Sequence, residues 1–581
     1  MKRWRHYFLL SLLFTGSLAV ATRVVWLTFV ESDRLQDEGD RRSLRTETIP
    51  SYRGVIHDRY GEPLAISTPV NAIWTDPSRH RVPRAELERL APHLGVDAEW
   101  LDARIEKHRD KSFVYLKRRV PWGTAERIRN LGIEGLEYER EYKRYYPAGE
   151  TAAHIVGMTN IDDVGLEGIE LSFDRVLRGR HGSKLVLKDR LGNIVRDLDF
   201  ESAPVMGLDL ALSIDLRLQY AAYRELKNAV AAHGAKSGSL VMLDVGTGEI
   251  LALVNQPSYN PNEPLAAGLA GMRNRAVTDV YEPGSTVKPF TVIAALESGQ
   301  YRPDTIIDTS PGYISIRGKL IEDPLDRGAI SLTRALHKSS QVGFAKIALE
   351  LPSGAVHDVL RRAGAGDFVS SGLPGETMGH LDDAGLKHPV VRATLAFGYG
   401  LTLSPLQLAQ AYLTLASGGV RMPVSALKLD SPPPGERVFN GQVAATVLGL
   451  MEGVTSREGT APGARVPGYR VAGKTGTTRI VNKDGYTDKR HVALFVGVAP
   501  LTDPRILMVV VVNDASGSRI GGGAVAAPVF ARVAERALRL MGIPPDARQL
   551  AGVHAVEAGQ DGPVRRAVRR FPGAGPGEGR S

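Results

Sequence analysis

Apolar and polar positions divide the chain into stretches of different texture. Residues 7–30 are predominantly apolar, and Arg23 is the one charge inside them. About 20 residues span a bilayer, so the run is long enough to be an anchor. A second reading takes residues 8–18 as the core of a secretion signal cleaved after Ala19-Val20-Ala21. The apolar segment that resumes at Val24-Val25-Trp26-Leu27 favours the anchor, because a cleaved signal needs no such continuation. Lys2, Arg3 and Arg5 precede the run. The positive-inside rule then puts residues 1–6 in the cytoplasm and everything after Val30 outside it.

From Glu31 to about Pro204 the pattern is strongly charged. Asn71-Ala72-Ile73-Trp74 reads as strand, residues 84–94 as helix, and residues 122–131 as a helix ended by Gly132. The basic stretch 107–119 reads as a solvated face. The texture changes near Gly207. Residues 208–214 alternate as a strand does, and Asp215 is a good N-cap. Leu218, Ala222 and Leu226 then recur at helical spacing until Gly234. Two apolar runs, 239–243 and 250–254, flank Asp244-Val245-Gly246-Thr247-Gly248-Glu249, a hairpin signal. A second pair, 491–498 and 505–512, is joined through Asp503-Pro504. Val525, Val529, Phe530, Val533, Ala537, Leu538 and Met541 form a helical stripe closed by Gly542 and Pro544. Strands and helices at both ends with a long helix-rich middle predict an α+β domain. After Pro545 the chain is rich in Gly, Pro and Arg and reads as disordered.

At 581 residues the chain is too long for one ordinary domain. It has no cysteine, which excludes a thiol nucleophile, a Cys-ligated metal and any disulfide. The net charge of +9 by itself admits nucleic acid, anionic lipid or an acidic polymer as partner. An extracytoplasmic location makes nucleic acid the poorest of these.

Three short motifs carry candidate chemistry. Ser285-Thr286-Val287-Lys288 follows Glu282-Pro283-Gly284, a turn feeding a helix. Positions i and i+3 share a helix face, so hydroxyl and amine meet. A neutral lysine can take the proton of a serine nucleophile, and a helix N-terminus supplies free N–H groups for a developing oxyanion. Ser425 and Lys428 have the same spacing in an extended stretch, where an offset of three puts them on opposite faces.

The second motif is Lys474-Thr475-Gly476-Thr477. With Gly468 and Gly473 it imitates a phosphate-binding loop, but Thr478-Arg479-Ile480-Val481 continues as strand, where such a loop needs a helix. As strand it puts Lys474 and Gly476 on one face and Thr475 and Thr477 on the other. The missing side chain at Gly476 allows a backbone to approach closely. The third motif, Ser339-Ser340-Gln341, is by itself merely polar. Together and in order the three match a signature of penicillin-binding proteins and class A β-lactamases.

On these motifs the chain resembles the class B penicillin-binding proteins, and among them the division-type members. Further stretches carry the resemblance: Arg53-Gly54-Val55-Ile56-His57-Asp58-Arg59, Tyr145-Tyr146-Pro147, Met272-Arg273-Asn274-Arg275 and Phe397-Gly398-Tyr399-Gly400-Leu401. It extends from the anchor to about Asp546. What it implies is an α+β chain in five parts. These are a cytoplasmic tail (1–6), a transmembrane anchor (7–30), an elongated non-catalytic pedestal (31–205), a serine transferase domain of antiparallel sheet, flanking helices and a helical lobe (206–545), and the tail (546–581).

The resemblance also implies the roles. Ser285 would be acylated, Lys288 would be its base, Ser339 would relay protons and Lys474 would support the electrostatics. Gln341 would contact the substrate backbone. Thr475, Gly476 and Thr477 would line the slot for the carboxylate of a stem peptide ending in D-Ala-D-Ala, and the N–H groups of Ser285 and Thr477 would form the oxyanion hole. No metal or cofactor is called for. Implied partners are β-lactams as covalent inhibitors, the septal polymerase FtsW and the divisome proteins FtsQLB and FtsN, at the inner membrane with the catalytic domain periplasmic.

Two departures stand out. Gln341 replaces the usual Asn, and Ile520-Gly521 stands where relatives often carry an aromatic pair. Rival readings are an elongation-specific transpeptidase, a D,D-carboxypeptidase, a β-lactamase, or a non-catalytic β-lactam sensor or scaffold on the same fold.

Overall fold

The computed structural model describes residues 2–34, 44–188, 194–264, 268–482, 485–516 and 520–547. The expectation of a disordered tail falls almost wholly outside them. Helix α1 (Lys2–Phe29) has 28 residues, and none of its apolar window is buried against the other described residues. At 1.5 Å per residue it is about 42 Å long. Among the described residues it is the one helix long and apolar enough to cross a membrane. Arg23 reaches along it toward its C-terminal end, 3.8 Å from Glu31.

Strand β1 (Leu44–Ile49) opens the charged half. β2 (Ile56–His57) and the long β3 (Pro63–Thr75) follow, then α2 (Arg84–Leu94), β4 (Val114–Pro121), α3 (Trp122–Arg129) and β5 (Glu137–Tyr145). β3 pairs antiparallel with both β4 and β5, and Leu87, Leu90, Leu116 and Ile128 pack beneath that sheet. α2 begins and ends where the sequence pattern puts it. The basic stretch 107–119 is a solvated face only as far as Phe113. From Val114 it is strand, with Val114, Leu116 and Val120 buried and Arg118 paired to Glu141 at 2.6 Å and Asp162 at 2.7 Å.

β6 (Gly182–Lys188) and β7 (Ile194–Ser202) complete a three-stranded sheet with β1. β8 (Leu210–Ala211) runs parallel to β2. The alternation over 208–214 therefore yields only a two-residue pairing, because its partner is itself two residues long. At the base of this half lies a buried ion cluster. Arg53 is fully buried between Glu170 (2.5 Å) and Asp174 (2.7 Å), and Arg144 meets Glu170 at 2.6 Å. Such charges are tolerable in a low-dielectric interior only when paired. Ile56, Leu64, Ile155 and Ile169 next to it share one core with Val241, Leu243 and Phe290, so the two halves are packed together.

α4 (Leu216–Ala232) starts at Asp215, whose side chain accepts the Arg217 N–H. β9 (Ser237–Asp244) and β10 (Ile250–Gln256) form the expected hairpin. A helical region follows, including α5 (Lys288–Glu297), α6 (Leu332–Lys338), α7 (Gln341–Glu350) and α8 (Pro405–Ala416). β11 (Ala472–Asn482), β12 (Gly485–Ala499), β13 (Ile506–Ala515) and α9 (Gly522–Leu540) close the domain. The sheet order is β10-β9-β13-β12-β11, antiparallel throughout.

Alternation sorts the strands' side chains. Leu240, Met242, Met508 and Val510 face α4 and α9, whereas Val241, Leu243, Leu507 and Val509 face the helical lobe. Both faces are covered, which is why these strands read as continuous apolar runs. α8 is buried along its whole length, behind α5. β11 is the edge strand, and it borders the helical lobe.

Candidate active site

The turn Gly284–Val287 leads directly into α5. Gly284 has φ +54°, and a Cβ there would lie 2.5 Å from Thr478 Cγ2. Gly398 approaches so closely that its Cβ would stand 2.1 Å from the Gly284 carbonyl oxygen. Only glycine fits either position. Thr286 donates to the Pro283 carbonyl at 2.7 Å, and Tyr412 donates to the Thr286 carbonyl at 2.6 Å. The Lys288 N–H closes the turn onto the Ser285 carbonyl. Ser285 is thus held on a rigid turn and is half-exposed. Among the described residues its hydroxyl has no hydrogen-bond partner.

Lys288, one turn on, is fully buried. Its Nζ donates to the Ser339 carbonyl at 2.5 Å and to Ser339 Oγ at 3.0 Å, and lies 5.4 Å from the centre of the Phe344 ring. Lys474, also fully buried, donates from Nζ to the same Ser339 Oγ at 3.1 Å and to the Thr475 carbonyl at 3.1 Å. Two lysines therefore converge on one serine hydroxyl. Burial, and then the neighbouring Lys474 charge, hold the Lys288 amine well below the usual lysine range, and the Asp323 carboxylate opposes them. Burial brings Lys474 down to about 7.

Ser339 occupies the junction of α6 and α7 with φ +58°, a left-handed conformation costly for a non-glycine residue. Ser340 caps α7, accepting the Gly343 N–H at 2.9 Å. Asp323, a buried residue in no motif, accepts the Ser340 hydroxyl and, at 2.5 Å, the Gln341 N–H. The Gln341 side chain is half-buried and among the described residues makes no hydrogen bond.

β11 brings the remaining residues. Gly476 lies against the Ser285 turn: a Cβ there would meet the Pro283 oxygen at 2.9 Å and Thr286 Cγ2 at 3.0 Å. Thr475 and Thr477 point the other way, toward the start of α9. Thr475 Oγ1 is 2.9 Å from Thr460 Oγ1, and Thr477 Oγ1 accepts the Gly522 N–H at 3.1 Å. A Cβ on Gly521 would come within 3.5 Å of Thr477 Oγ1, so the Ile520-Gly521 departure borders this wall.

The structure thus brings the three motifs together, with alternate faces of β11 used as its strand period requires. It separates the decoys. Ser425 Oγ donates to the Leu427 carbonyl at 2.8 Å, away from Lys428. Gly473-Lys474-Thr475 is strand, with no helix following. Asp323 and Thr460 escape sequence reasoning because each lies in an ordinary loop stretch with no motif spacing. Only the fold carries them to the site.

Residues 238–535 match the family described as "Penicillin binding protein transpeptidase domain", and residues 48–212 match "Penicillin-binding Protein dimerisation domain". The peptidoglycan D,D-transpeptidase FtsI of Escherichia coli is 43% identical over 549 residues, which cover 94% of this chain and 93% of the relative. A peptidoglycan synthetase from Bifidobacterium adolescentis superposes with a TM-score of 0.70 at 25% identity, covering 87% of this chain and 98% of the other. Penicillin binding protein 3 from Mycobacterium tuberculosis, in complex with aztreonam, superposes with a TM-score of 0.68 at 27% identity, covering 86% and 98%.

Proposed function

This chain belongs to the class B penicillin-binding proteins, and on that premise we propose that it performs peptidoglycan D,D-transpeptidation at the division septum. The observation that carries the reading is the convergence of Lys288 and Lys474 on Ser339 Oγ beside the turn that presents Ser285. A neutral amine has two N–H donors and one lone pair. The two donations of Lys288 to Ser339 use the donors and leave the lone pair for the Ser285 proton.

Ser285 Oγ then attacks the penultimate D-Ala carbonyl of a donor stem. The N–H groups of Ser285 and Thr477 face the developing oxyanion, the second from the free edge of β11. The proton taken by Lys288 passes through the Ser339 hydroxyl to the departing D-Ala amine, in the general acid step. Thr475 and Thr477 receive the terminal carboxylate, which the buried Lys474 charge attracts from behind the strand, and Gly476 keeps that strand tight against the nucleophile. Gln341 offers its amide to the backbone of the stem. The amine of a neighbouring stem resolves the acyl-serine by the same path in reverse. A β-lactam mimics the donor and stays attached.

On this reading residues 31–205 are the pedestal and 206–545 the catalytic domain. α1 is a single-pass inner-membrane anchor with its N-terminus cytoplasmic and the rest periplasmic. FtsW, FtsQLB and FtsN are its partners, by likeness to division-type relatives.

Fluorescent-penicillin labelling combined with a cross-linking assay tests the reading. Ser285→Ala should abolish labelling in a folded, membrane-bound protein, and Ser425→Ala should leave it intact. Labelling of the Ser285 variant at the wild-type rate defeats the assignment. Acylation without cross-linking would point to a sensor or scaffold instead.

A further inference from the structure

Between α6 and the loop that leads to Thr460 lies a cavity of about 340 Å³ whose walls include Arg334, His337, Lys338, Ser456, Arg457 and Glu458. It is tied to the site on both sides. Lys338 immediately precedes Ser339, and the loop running on from Ser456 ends at Thr460, whose hydroxyl is 2.9 Å from that of Thr475. Its floor is built: a Cβ at Gly453 would stand 2.1 Å from the His337 ring, so the ring lies directly on the backbone there. His337 donates from Nε2 to the Leu450 carbonyl at 2.8 Å, and burial pushes its pKa down.

The charge around this cavity is unbalanced. Three cations, Arg334, Lys338 and Arg457, face one carboxylate, Glu458. Arg334 stands 3.8 Å from Glu458, with both side chains largely exposed, and such a pair is weak. Lys338 donates to the Glu458 backbone carbonyl at 2.6 Å, not to a carboxylate. Arg457 has no ion-pair partner among the described residues. An arginine fork matches a carboxylate in two parallel hydrogen bonds.

We propose that this cavity receives a carboxylate of the acceptor stem peptide, an inference that rests on the transpeptidase reading above. The acceptor amine must reach the acyl carbon from the side that the D-Ala amine has left. The carboxylate of that D-Ala lay along Thr475 and Thr477, so the body of the acceptor extends past those threonines. The loop that lines the basic cavity ends there, at Thr460 against Thr475. An acceptor stem that ends in D-Ala carries a free carboxylate to fill it. The amine nitrogen then bonds to the acyl carbon, the bond from that carbon to Ser285 Oγ breaks, and the amine proton passes to Ser285 Oγ.

The test uses the full chain in detergent with a thioester donor ending in a D-Ala carbonyl. The acceptors are one stem peptide with a free amine, supplied with its terminal carboxylate either free or amidated. Ser285 acylation by penicillin is measured alongside. Wild type should partition toward aminolysis with the free-carboxylate acceptor in preference to the amide. Combined Arg334→Ala and Arg457→Ala should cut that preference about tenfold, the loss of one charge-assisted pair, with penicillin acylation unchanged. Arg457→Glu should turn the preference toward the amide. Equal use of both acceptors by wild type, or an unaltered preference in Arg457→Glu, overturns the proposal. Failure of wild type to be acylated at Ser285 instead overturns the reading on which it rests.

Discussion

The Asp323 carboxylate accepts the backbone N–H of Gln341 at 2.5 Å. With its other oxygen it accepts the Ser340 hydroxyl, so it holds the first turn of α7 and the junction in which Ser339 is left-handed. The free N–H groups of a helix start are satisfied here by a charge. The same charge raises the pKa of Lys288.

Asp323→Asn keeps the shape and removes the charge, and Asp323→Ala also strands a buried N–H at a cost of about 1–3 kcal/mol. Both should slow penicillin acylation, the alanine variant by up to about a hundredfold through misplacement of Ser339 and Gln341. The Asn variant should in addition move the rising limb of the acylation–pH profile to lower pH, since Lys288 loses a counter-charge. A rising limb that stays in place would show that Asp323 acts on loop geometry alone.

Gly476 is where β11 touches the turn that presents Ser285. In Gly476→Ala the new methyl would stand 2.9 Å from the Pro283 oxygen and 3.0 Å from Thr286 Cγ2, closer than ordinary contact. The edge strand must shift away from Ser285. Acylation should fall about a hundredfold while thermal stability drops by only about 1–3 kcal/mol. The check is the acylation rate measured beside a melting curve. An unchanged rate would mean that β11 does not need this approach.

The catalytic half was the more legible in the sequence. The hairpins, the Asp215 cap, the α9 stripe and the faces of β11 all follow from local periodicity, and a Ser-x-x-Lys pair on a helix start has only one geometry. Ser339-Ser340-Gln341 was opaque because its shape depends on a left-handed Ser339, which a serine does not advertise. Asp323 and Thr460 become visible only when remote loops meet. In the pedestal, Arg118 looked like part of a solvated basic run. Its two carboxylate partners, Glu141 and Asp162, lie more than twenty residues further on, beyond the reach of a local pattern.

Gln341 offers a side-chain amide with no hydrogen-bond partner among the described residues, one methylene longer than the Asn usual in the family. Gly521 on the facing wall adds no bulk beside Thr477. The two features suit a groove that is wider and a donor that reaches further across it. Gln341→Asn should then slow acylation by one penicillin and one cephalosporin alike, because the shorter amide falls short of its acceptor. Faster acylation of the Asn variant with both would make Gln341 a handicap and end the wide-groove idea.

The buried Lys474 should make both stability and activity depend on pH, in opposite senses. Burial lowers its pKa from 10.5 to about 7, so between those values the unfolded chain holds a proton that the folded chain has lost. Stability therefore rises with pH through that window and is penalised most below it. Lys474→Met should remove this dependence and raise the melting temperature at neutral pH. Activity runs the other way. Burial, and after it the charged form of Lys474, lower Lys288, and that charge attracts a substrate carboxylate, so acylation should be bell-shaped, rising as Lys288 deprotonates and falling near pH 7 as Lys474 does. In Lys474→Met the falling limb should vanish and the rising limb should move to higher pH, with a lower maximum. The measurement is the second-order rate of penicillin acylation from weakly acidic to alkaline pH. If the falling limb survives the substitution, it belongs to another group, and Lys474 is not the titrating partner of the site.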